Sequence, residues 1–447
     1  MKKVAFRNLG CKVNEYEMEY MQQIMSENGY LIVPFDTKAD IYVINTCTVT
    51  NIADRKSRQM LHQAKKRNPD SIVVAAGCYV QTGKEEVLKD ISVDIVLGNN
   101  KKSLLPKIIE EYMNSHEIRN DLVPDLTVPS DYENMCIEKT AEHARAFIKI
   151  QDGCDQFCSF CAIPLSRGRI RSRKCEDTIK ELELLSKNGY TEVVITGIHL
   201  SSYGVDFHRD ENGKMTSYNE LAKNGYTNED LLKVLEEAAK IEGIKRIRLG
   251  SLEPRLITED FLKRLSKIDK ICPHFHLSLQ SGCDATLKRM NRKYTKSEFM
   301  EGVELLRKYF DKPAITTDVI VGFPGETEEE FNESFEFYKK VNFADMHVFK
   351  YSKRKNTVAA SLKDQVSVHL KDERSEKVIE LANKMTKEYH NELIGRKVEV
   401  LFEEVKDGYF VGHTREYVLV GLKTDEDLKG VIKTLTLDAD TLCFMPK

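Results

Sequence analysis

The sequence predicts an α/β protein in three parts: an N-terminal parallel α/β sheet domain, a central partial (βα)6 barrel of the triosephosphate-isomerase (TIM) type, and a C-terminal small β-barrel. Three observations predict it. Apolar strand-like runs alternate with amphipathic segments over the first ~100 residues, and a second series of six such units begins at Phe147. After residue 396 only short strands separated by turns follow. At 447 residues the chain exceeds one ordinary domain. The expected boundaries are 1–115 for the first domain, 116–143 for a linker, 144–380 for the barrel, and 381–447 for a helix plus the β-barrel.

In the first domain, KVAFRNLG is an apolar run ending at Gly10–Cys11, and an amphipathic segment from Glu15 to Asn28 follows. DIYVINTC ends at Cys47, Ala53 to Asn68 reads as a helix, SIVVAAGC ends at Cys78, and DIVLG (94–98) precedes a further helix. Strand–helix alternation implies a parallel sheet, whose strands all end along one edge, where ligands bind. Cys11, Cys47 and Cys78 each lie just past a strand end, so residues 36 and 31 apart in sequence are expected to meet in space. Three unrelated buried cysteines are the bland alternative.

Residues 113–146, polar and carrying Pro124 and Pro129, read as a connection. The barrel strands are then AFIKI, EVVITG, KRIRLGS, HFHLSLQ, ITTDVIVGF and ADMHVFKYS, with helical segments such as 176–188, 229–240 and 327–340 between them. Function in such a barrel is expected at the carboxyl ends of the strands. A helix from Lys371 to Leu393 leads to VEVLFEEV, YFVGHT and YVLVGL, the strands of the final unit.

The net charge of −3 gives no global signal for nucleic acid or membrane. No run of about 18 apolar residues occurs, and the N-terminus does not read as a signal peptide. A cytoplasmic protein is expected, and in that compartment clustered cysteines point to metal ligation or catalysis rather than disulfides. Of the eleven cysteines, Cys154, Cys158 and Cys161 form C-x3-C-x2-C directly after the first barrel strand. Thiolate is a soft ligand for zinc and for iron–sulfur clusters, both of which ordinarily take four protein ligands. If Cys175, beyond an arginine-rich loop, is not a fourth ligand, a 4Fe–4S cluster here keeps one iron open to a small chelating molecule.

That spacing resembles the radical S-adenosylmethionine enzymes, in which the open iron chelates the amino and carboxylate groups of S-adenosylmethionine. One electron from the cluster then releases a 5′-deoxyadenosyl radical. The whole chain resembles the methylthiotransferase family within them, which replaces a carbon–hydrogen bond by a methylthio group. The matching motifs are LGCKVN, VINTCTVTNIADRKSR and AAGCYVQ in the first domain. In the barrel they are QDGCDQFCSFCAIPLSRGRIRSR, TGIHLSSYG, RLGSLEP, LSLQSG, LKRMNRKY and TTDVIVGFPGET. The last ~50 residues resemble the family's RNA-binding TRAM β-barrel. The resemblance implies two 4Fe–4S clusters, one on Cys154, Cys158 and Cys161 and an auxiliary one on Cys11, Cys47 and Cys78, so that all six cysteines are catalytic. It further implies S-adenosylmethionine as cofactor, a tRNA substrate, and an electron donor such as flavodoxin or ferredoxin. It leaves the sulfur source open and gives no role to a membrane.

Gly197 and His199 follow the second barrel strand, Ser251 and Glu253 the third, Gln280 the fourth and Gly322 the fifth. Similar positions in the superfamily contact S-adenosylmethionine; tight turns and helix caps are the alternative. Thr327 and Glu330 form a capping-box pattern, and His274 and His276 alternate along a strand with no role assigned. The run Arg167, Arg169, Arg171, Arg173 and Lys174 is read as a phosphate-tracking, RNA-binding element against the alternative of a solvated face. Residues 397–447 carry seven Lys/Arg against ten Asp/Glu, so the terminal unit is not basic overall. Cys136, Cys175, Cys272, Cys283 and Cys443 match no cluster motif and are expected to be free thiols. Residues 206–228 lengthen a loop on the catalytic rim relative to the family pattern.

The family acts on N6-isopentenyladenosine in tRNA, on N6-threonylcarbamoyladenosine in tRNA, or on an aspartate of a ribosomal protein. NTCTVTNIADRKSR resembles the threonylcarbamoyladenosine group. The expected reaction is therefore 2-methylthiolation of that nucleoside beside the anticodon, the other two substrates being the alternatives. The stretch after Cys47 is expected near the auxiliary cluster, where it could sense the N6 substituent.

Overall fold

The computed structural model describes residues 1–117, 122–126, 128, 130–138, 144–208 and 215–442. Its first domain runs β1 (Lys3–Asn8), α1 (Lys12–Glu27), β2 (Leu31–Val33), β3 (Ile41–Thr46), α2 (Asn51–Arg67), β4 (Ile72–Gly77), α3 (Cys78–Thr82), α4 (Lys84–Leu88), β5 (Ile95–Leu97) and α5 (Leu105–Ser115). All five strands are parallel, in the order β2-β1-β3-β4-β5. Val4, Val43, Val74 and Leu97 belong to the core on one face, Ala5, Ile44, Ala75 and Val96 to that on the other. That two-sided burial is why these strands read as continuous apolar runs. The short edge strand β2 was not among the expected elements; three residues leave too little pattern to read.

The barrel comprises β6 (Arg145–Asp152), α6 (Ile163–Arg167), β7 (Arg171–Ser172), α7 (Cys175–Lys187), β8 (Glu192–Gly197), α8 (Tyr218–Lys223), α9 (Glu229–Lys240), β9 (Arg246–Leu249), α10 (Glu259–Leu265), β10 (His274–His276), α11 (Asp284–Arg289), α12 (Lys296–Tyr309), β11 (Ala314–Val321), α13 (Glu328–Val341), β12 (Asp345–Lys350), α14 (Val358–Ser361) and α15 (Val368–Leu393). Parallel pairing links β6-β8-β9 and β10-β11-β12, and the bridges Ile247–Ile271 and Leu252–Leu277 join the two groups into one arc of six strands. β7 pairs antiparallel to β6 at the edge. Three helices open with a capping box, α8 at Ser217, α12 at Thr295 and α13 at Thr327, the last as the sequence predicts.

The C-terminal unit is a four-stranded antiparallel sheet, β15 (Leu419–Leu422), β14 (Tyr409–Thr414), β13 (Lys397–Lys406), β16 (Ile432–Thr436), around its own core. The described pairings are those of an open sheet, with Gly421 N donating to Thr441 O at one edge. The expected small β-barrel is described by this sheet. It docks on the amino ends of the barrel strands, where Arg248 donates to Arg415 O and Thr414 O and Arg145 pairs with Glu403 at 2.6 Å.

The expected linker, residues 116–143, is not a solvated tether where it is described. Leu122 lies in the first domain's core, and Met135 and Ile137 pack with Tyr16, Phe147 and Val194 between the first domain and the barrel. Tyr16 Oη donates to Met135 O at 2.9 Å. Prolines and charge made this strap read as a loop, but alternating apolar residues anchor it. Pro129 and Cys443 lie outside the described residues. The other ten cysteines are free, Cys272 and Cys283 buried, as expected of reduced thiols.

Candidate active site

Backbone register brings the first three cysteines together. Asn8 pairs with Asn45 and Thr46 with Gly77, so β1, β3 and β4 end level and Cys11, Cys47 and Cys78 follow along one edge. Gly77 is required there: its φ is +94°, and a Cβ would stand 2.6 Å from Thr46 O. Asn14 ties the strand ends, donating to Thr46 O at 2.9 Å and accepting at its own carbonyl from Asn45 Nδ2 at 2.7 Å. Burial, then the Cys78 thiol, pushes Cys47 up to about 11. Desolvation by the groups crowded around its sulfur also raises Cys11, the one exposed residue of the three, opposed by the cation of Arg167.

The second trio lies in the loop after β6. Cys154 N donates to Gly168 O, Cys161 N donates to Cys158 O, and Ser159 N donates to Met290 O, which clamps the loop to the residues after α11. Burial raises the Cys154 thiol well above its ordinary range, and the two neighbouring thiols add to the shift. Cys161 is pushed up to about 12 by burial and by Cys158. Arg292 Nη1 lies 3.2 Å from Cys158 Sγ and donates to it. Arg292 was missed by sequence reasoning although it stands in LKRMNRKY; a cation far along the chain gives no sign that it folds back on a thiol.

The surroundings of Cys11, Cys47, Cys154 and Cys161 disfavour their ionisation until a metal compensates the charge, so the donor chemistry at both trios fits a metal cluster. Among the described residues, no group of three His, Cys, Asp or Glu side chains is drawn together as around a single ion. Four irons bridged by sulfide take wider-set thiolates than one zinc does. Cys175 sits apart, its charged neighbours being Lys233, Glu237 and Asp230 of α9. Gly153 lets the loop leave β6, with φ +71° and room for no Cβ, which would meet Arg169 O at 1.8 Å. Gly153→Ala is expected to deform this loop and lower the iron bound after anaerobic reconstitution, read as iron per chain; unchanged iron counts against it.

The six rim residues separate. Gly197 and Ser251 line a cavity of about 810 Å³ that also reaches Cys11, Ile163 and the C-terminal sheet. His199 contacts Ser202 through Nδ1, while Nε2 is buried with no partner. Burial, with Arg292 and Arg255 nearby, pushes His199 down to about 3, so the imidazole is neutral. Glu253 is buried, accepting from Tyr218 Oη and from Arg255 Nε, both at 2.8 Å. Tyr218 comes from the 206–228 loop, whose residues 209–214 lie outside the described ones; its ring meets His199 edge-on at 5.2 Å. Gln280 has φ +71° and joins the strands through its backbone, donating to Asp318 O. Gly322, at φ +69°, gives its N–H to Glu326 within a turn. For these last two the turn reading describes what the structure contains.

The arginine run is corrected. Arg167, Arg171 and Arg173 are 0%, 3% and 2% exposed, which no phosphate-tracking side chain can be. Arg173 pairs with Glu181, and Arg171 donates to Arg167 O at 2.9 Å. Arg167 reaches across to the first domain, donating to both Glu17 oxygens at 2.9 and 3.1 Å and to Asp152 at 3.0 Å. Lys149 and Lys102 join it on Glu17. Strand alternation would have placed Arg167, Arg169, Arg171 and Arg173 on one face, as a phosphate-tracking element needs; that Arg167 ends α6 and that the first domain closes over it was not readable. Only Arg169 and Lys174 are exposed, and Arg169 lies over the Phe157 ring at 4.8 Å.

The stretch after Cys47 is also more structural than expected. Arg354, following β12, donates to Thr48 Oγ1, Asn51 Oδ1 and Asp54 Oδ2 at 2.6–2.7 Å, a second clamp between barrel and first domain. From this stretch Val49 lines the cavity.

Comparison with known proteins agrees with this geometry. Residues 3–98 match the model of the uncharacterized protein family UPF0004, and residues 148–338 that of the radical SAM superfamily. Threonylcarbamoyladenosine tRNA methylthiotransferase MtaB of Bacillus subtilis is 41% identical over 445 residues, covering 98% of this chain and 94% of that one. The protein of the same name from Thermotoga maritima is 35% identical, covering 99% and 97%. A tRNA-2-methylthio-N(6)-dimethylallyladenosine synthase of Thermoanaerobacter is 34% identical, covering 96% and 88%. Among solved structures, the radical S-adenosylmethionine methyltransferase TsrM of Kitasatospora setae superposes with a TM-score of 0.58 at 14% identity, over 80% of this chain and 77% of that one, a likeness of fold. Fold and thiol loop together define a radical S-adenosylmethionine enzyme. The chain belongs within that class to the MtaB family of methylthiotransferases.

Proposed function

We propose that this enzyme attaches a methylthio group to C2 of N6-threonylcarbamoyladenosine beside the anticodon of tRNA. The observation that carries the substrate is the 41% identity over nearly the whole chain to an enzyme named for that nucleoside, above the 34% to one named for dimethylallyladenosine. Cys154, Cys158 and Cys161 would hold one 4Fe–4S cluster, with Arg292 donating to the Cys158 sulfur; Cys11, Cys47 and Cys78 would hold the other. When bound, the clusters and S-adenosylmethionine supply hydrogen abstraction and the sulfur and methyl to be transferred.

The chain's own residues orient and insulate. Glu253, fixed by Tyr218 and Arg255, presents a carboxylate at the rim, and neutral His199 offers an unpartnered Nε2. With Gly197 and Ser251 they are the residues we assign to S-adenosylmethionine. Gln280 and Gly322 would shape the same rim through their backbone. Of the expected RNA contacts, Arg169 and Lys174 are kept. No helix is long and apolar enough to cross a membrane. Work on tRNA would place the enzyme in the cytoplasm, with electrons from a flavodoxin- or ferredoxin-type protein. Mass spectrometry of tRNA nucleosides from a deletion strain tests the reading: 2-methylthio-threonylcarbamoyladenosine should vanish. Its persistence, with no redundant enzyme, would refute the assignment.

A further inference from the structure

Between the auxiliary thiols and the C-terminal sheet, the cavity is lined by Lys12 and by the acids Asp318, Asp345 and Glu416, none of which lies within ion-pairing distance of it. Tyr417 (φ +70°) stacks on His413 at 4.4 Å and on His274 at 4.9 Å. Three cations stand over its ring: Arg248 at 4.7 Å, Arg145 at 5.1 Å and Lys12 at 5.9 Å. Two of these are neutralised. Arg248 donates to Glu192 at 3.1 Å, and Arg145 pairs with Glu403 at 2.6 Å and Glu192 at 3.6 Å. Lys12, next to Cys11, is exposed and lines the cavity, and among the described residues no carboxylate stands within ion-pairing distance of its Nζ. His274, 7% exposed and lining the same cavity, has an Nδ1 with no hydrogen-bond partner. An unpaired ammonium facing the cavity and a buried, unsatisfied imidazole at its wall offer an anion two partners.

We propose that Lys12, supported by His274, is the specificity residue that pairs with the carboxylate of the threonylcarbamoyl group, placing the modified base beside the auxiliary trio. The inference rests on the substrate reading above and deepens it. A volume of about 810 Å³ is that of a small-molecule pocket and accommodates a nucleoside with its substituent. An uncharged N6 substituent would leave Lys12 unpaired, so the site discriminates by what it fails to satisfy.

The test uses the reconstituted full-length enzyme and three anticodon stem-loop RNAs, carrying threonylcarbamoyladenosine, its carboxamide analogue, or plain adenosine. Wild type should bind the first about 10- to 100-fold tighter than the carboxamide. Lys12→Gln should abolish that preference and raise KM rather than lower kcat, and Lys12→Arg should restore it, with iron per chain unchanged in both. Equal wild-type affinity for the acid and the carboxamide overturns the proposal, and does so without any variant. So does a Lys12→Gln enzyme that keeps the preference, or one weakened equally on all three RNAs, which would assign Lys12 to a backbone phosphate. A wild type that fails to methylthiolate the modified RNA overturns the substrate reading and this inference with it; if it succeeds, the other outcomes bear on Lys12 alone.

Discussion

Replacing Cys11, Cys47 and Cys78 together by alanine is expected to remove about half of the iron and all of the methylthio transfer. The reasoning is geometric. The three thiols hang on the ends of three strands of one sheet, aligned by the Asn8–Asn45 and Thr46–Gly77 pairings, and no residue of the second trio belongs to that sheet. The 154–161 loop is fastened by its own bonds to Gly168, Met290 and Asn291 Nδ2, which donates to Phe157 O at 2.7 Å. It should therefore keep its iron when the other trio is lost. Reductive cleavage of S-adenosylmethionine should persist in that variant and disappear when Cys154, Cys158 and Cys161 are replaced instead. Iron analysis and detection of 5′-deoxyadenosine separate the two activities. Full iron content after loss of the first trio would refute a second cluster.

The convergence of Cys11, Cys47 and Cys78 was legible because a parallel sheet imposes it: any residue just past a strand end shares one edge with its counterparts. The order of the six barrel strands was legible for the same reason. What the sequence hid is what depends on which faces meet. Arg167 carries the polarity of a surface and is buried because Glu17 and Asn14 of the first domain close over it, while Arg171 is held by Arg167 O and Asp152. Arg292 and Tyr218 reach the site from loops whose course no periodicity encodes. Lys12 sits in a motif read only for its cysteine, and its lack of an ion-pair partner emerges only when Arg145 and Arg248, more than a hundred residues away, are seen to take the carboxylates.

Glu17→Gln is expected to be the most damaging single change away from the thiols. Glu17 is 1% exposed and accepts from Arg167, Lys149 and Lys102, while Asp152 accepts from Arg167 and Lys149. Counting Arg171, 3.6 Å from Asp152, four cations face two carboxylates, so the formal charge is 4 − 2 = +2. Arg167 also faces the Cys78 sulfur, whose charge as a metal-held thiolate would offset part of this excess. Removing one carboxylate leaves Lys102 without a carboxylate and the other three buried cations on Asp152 alone, a loss of about 3–5 kcal/mol. Because the network spans both domains, the loss should also loosen one thiol trio from the other. The urea midpoint followed by circular dichroism should fall, and Glu17→Gln combined with Lys102→Met should recover part of it; an unchanged midpoint would sink the prediction. The pH dependence follows the same charges. Despite the cost of burial, Arg167, Lys102 and Lys149 hold Glu17 well below the ordinary carboxylate range, and Arg167, Lys149 and Arg171 hold Asp152 low too. Groups depressed in the folded state stabilise it above their unfolded values. Wild type should thus keep this contribution at neutral pH and lose it as the pH falls below about 4. Glu17→Gln, already without its share, should show a shallower loss over that acid window.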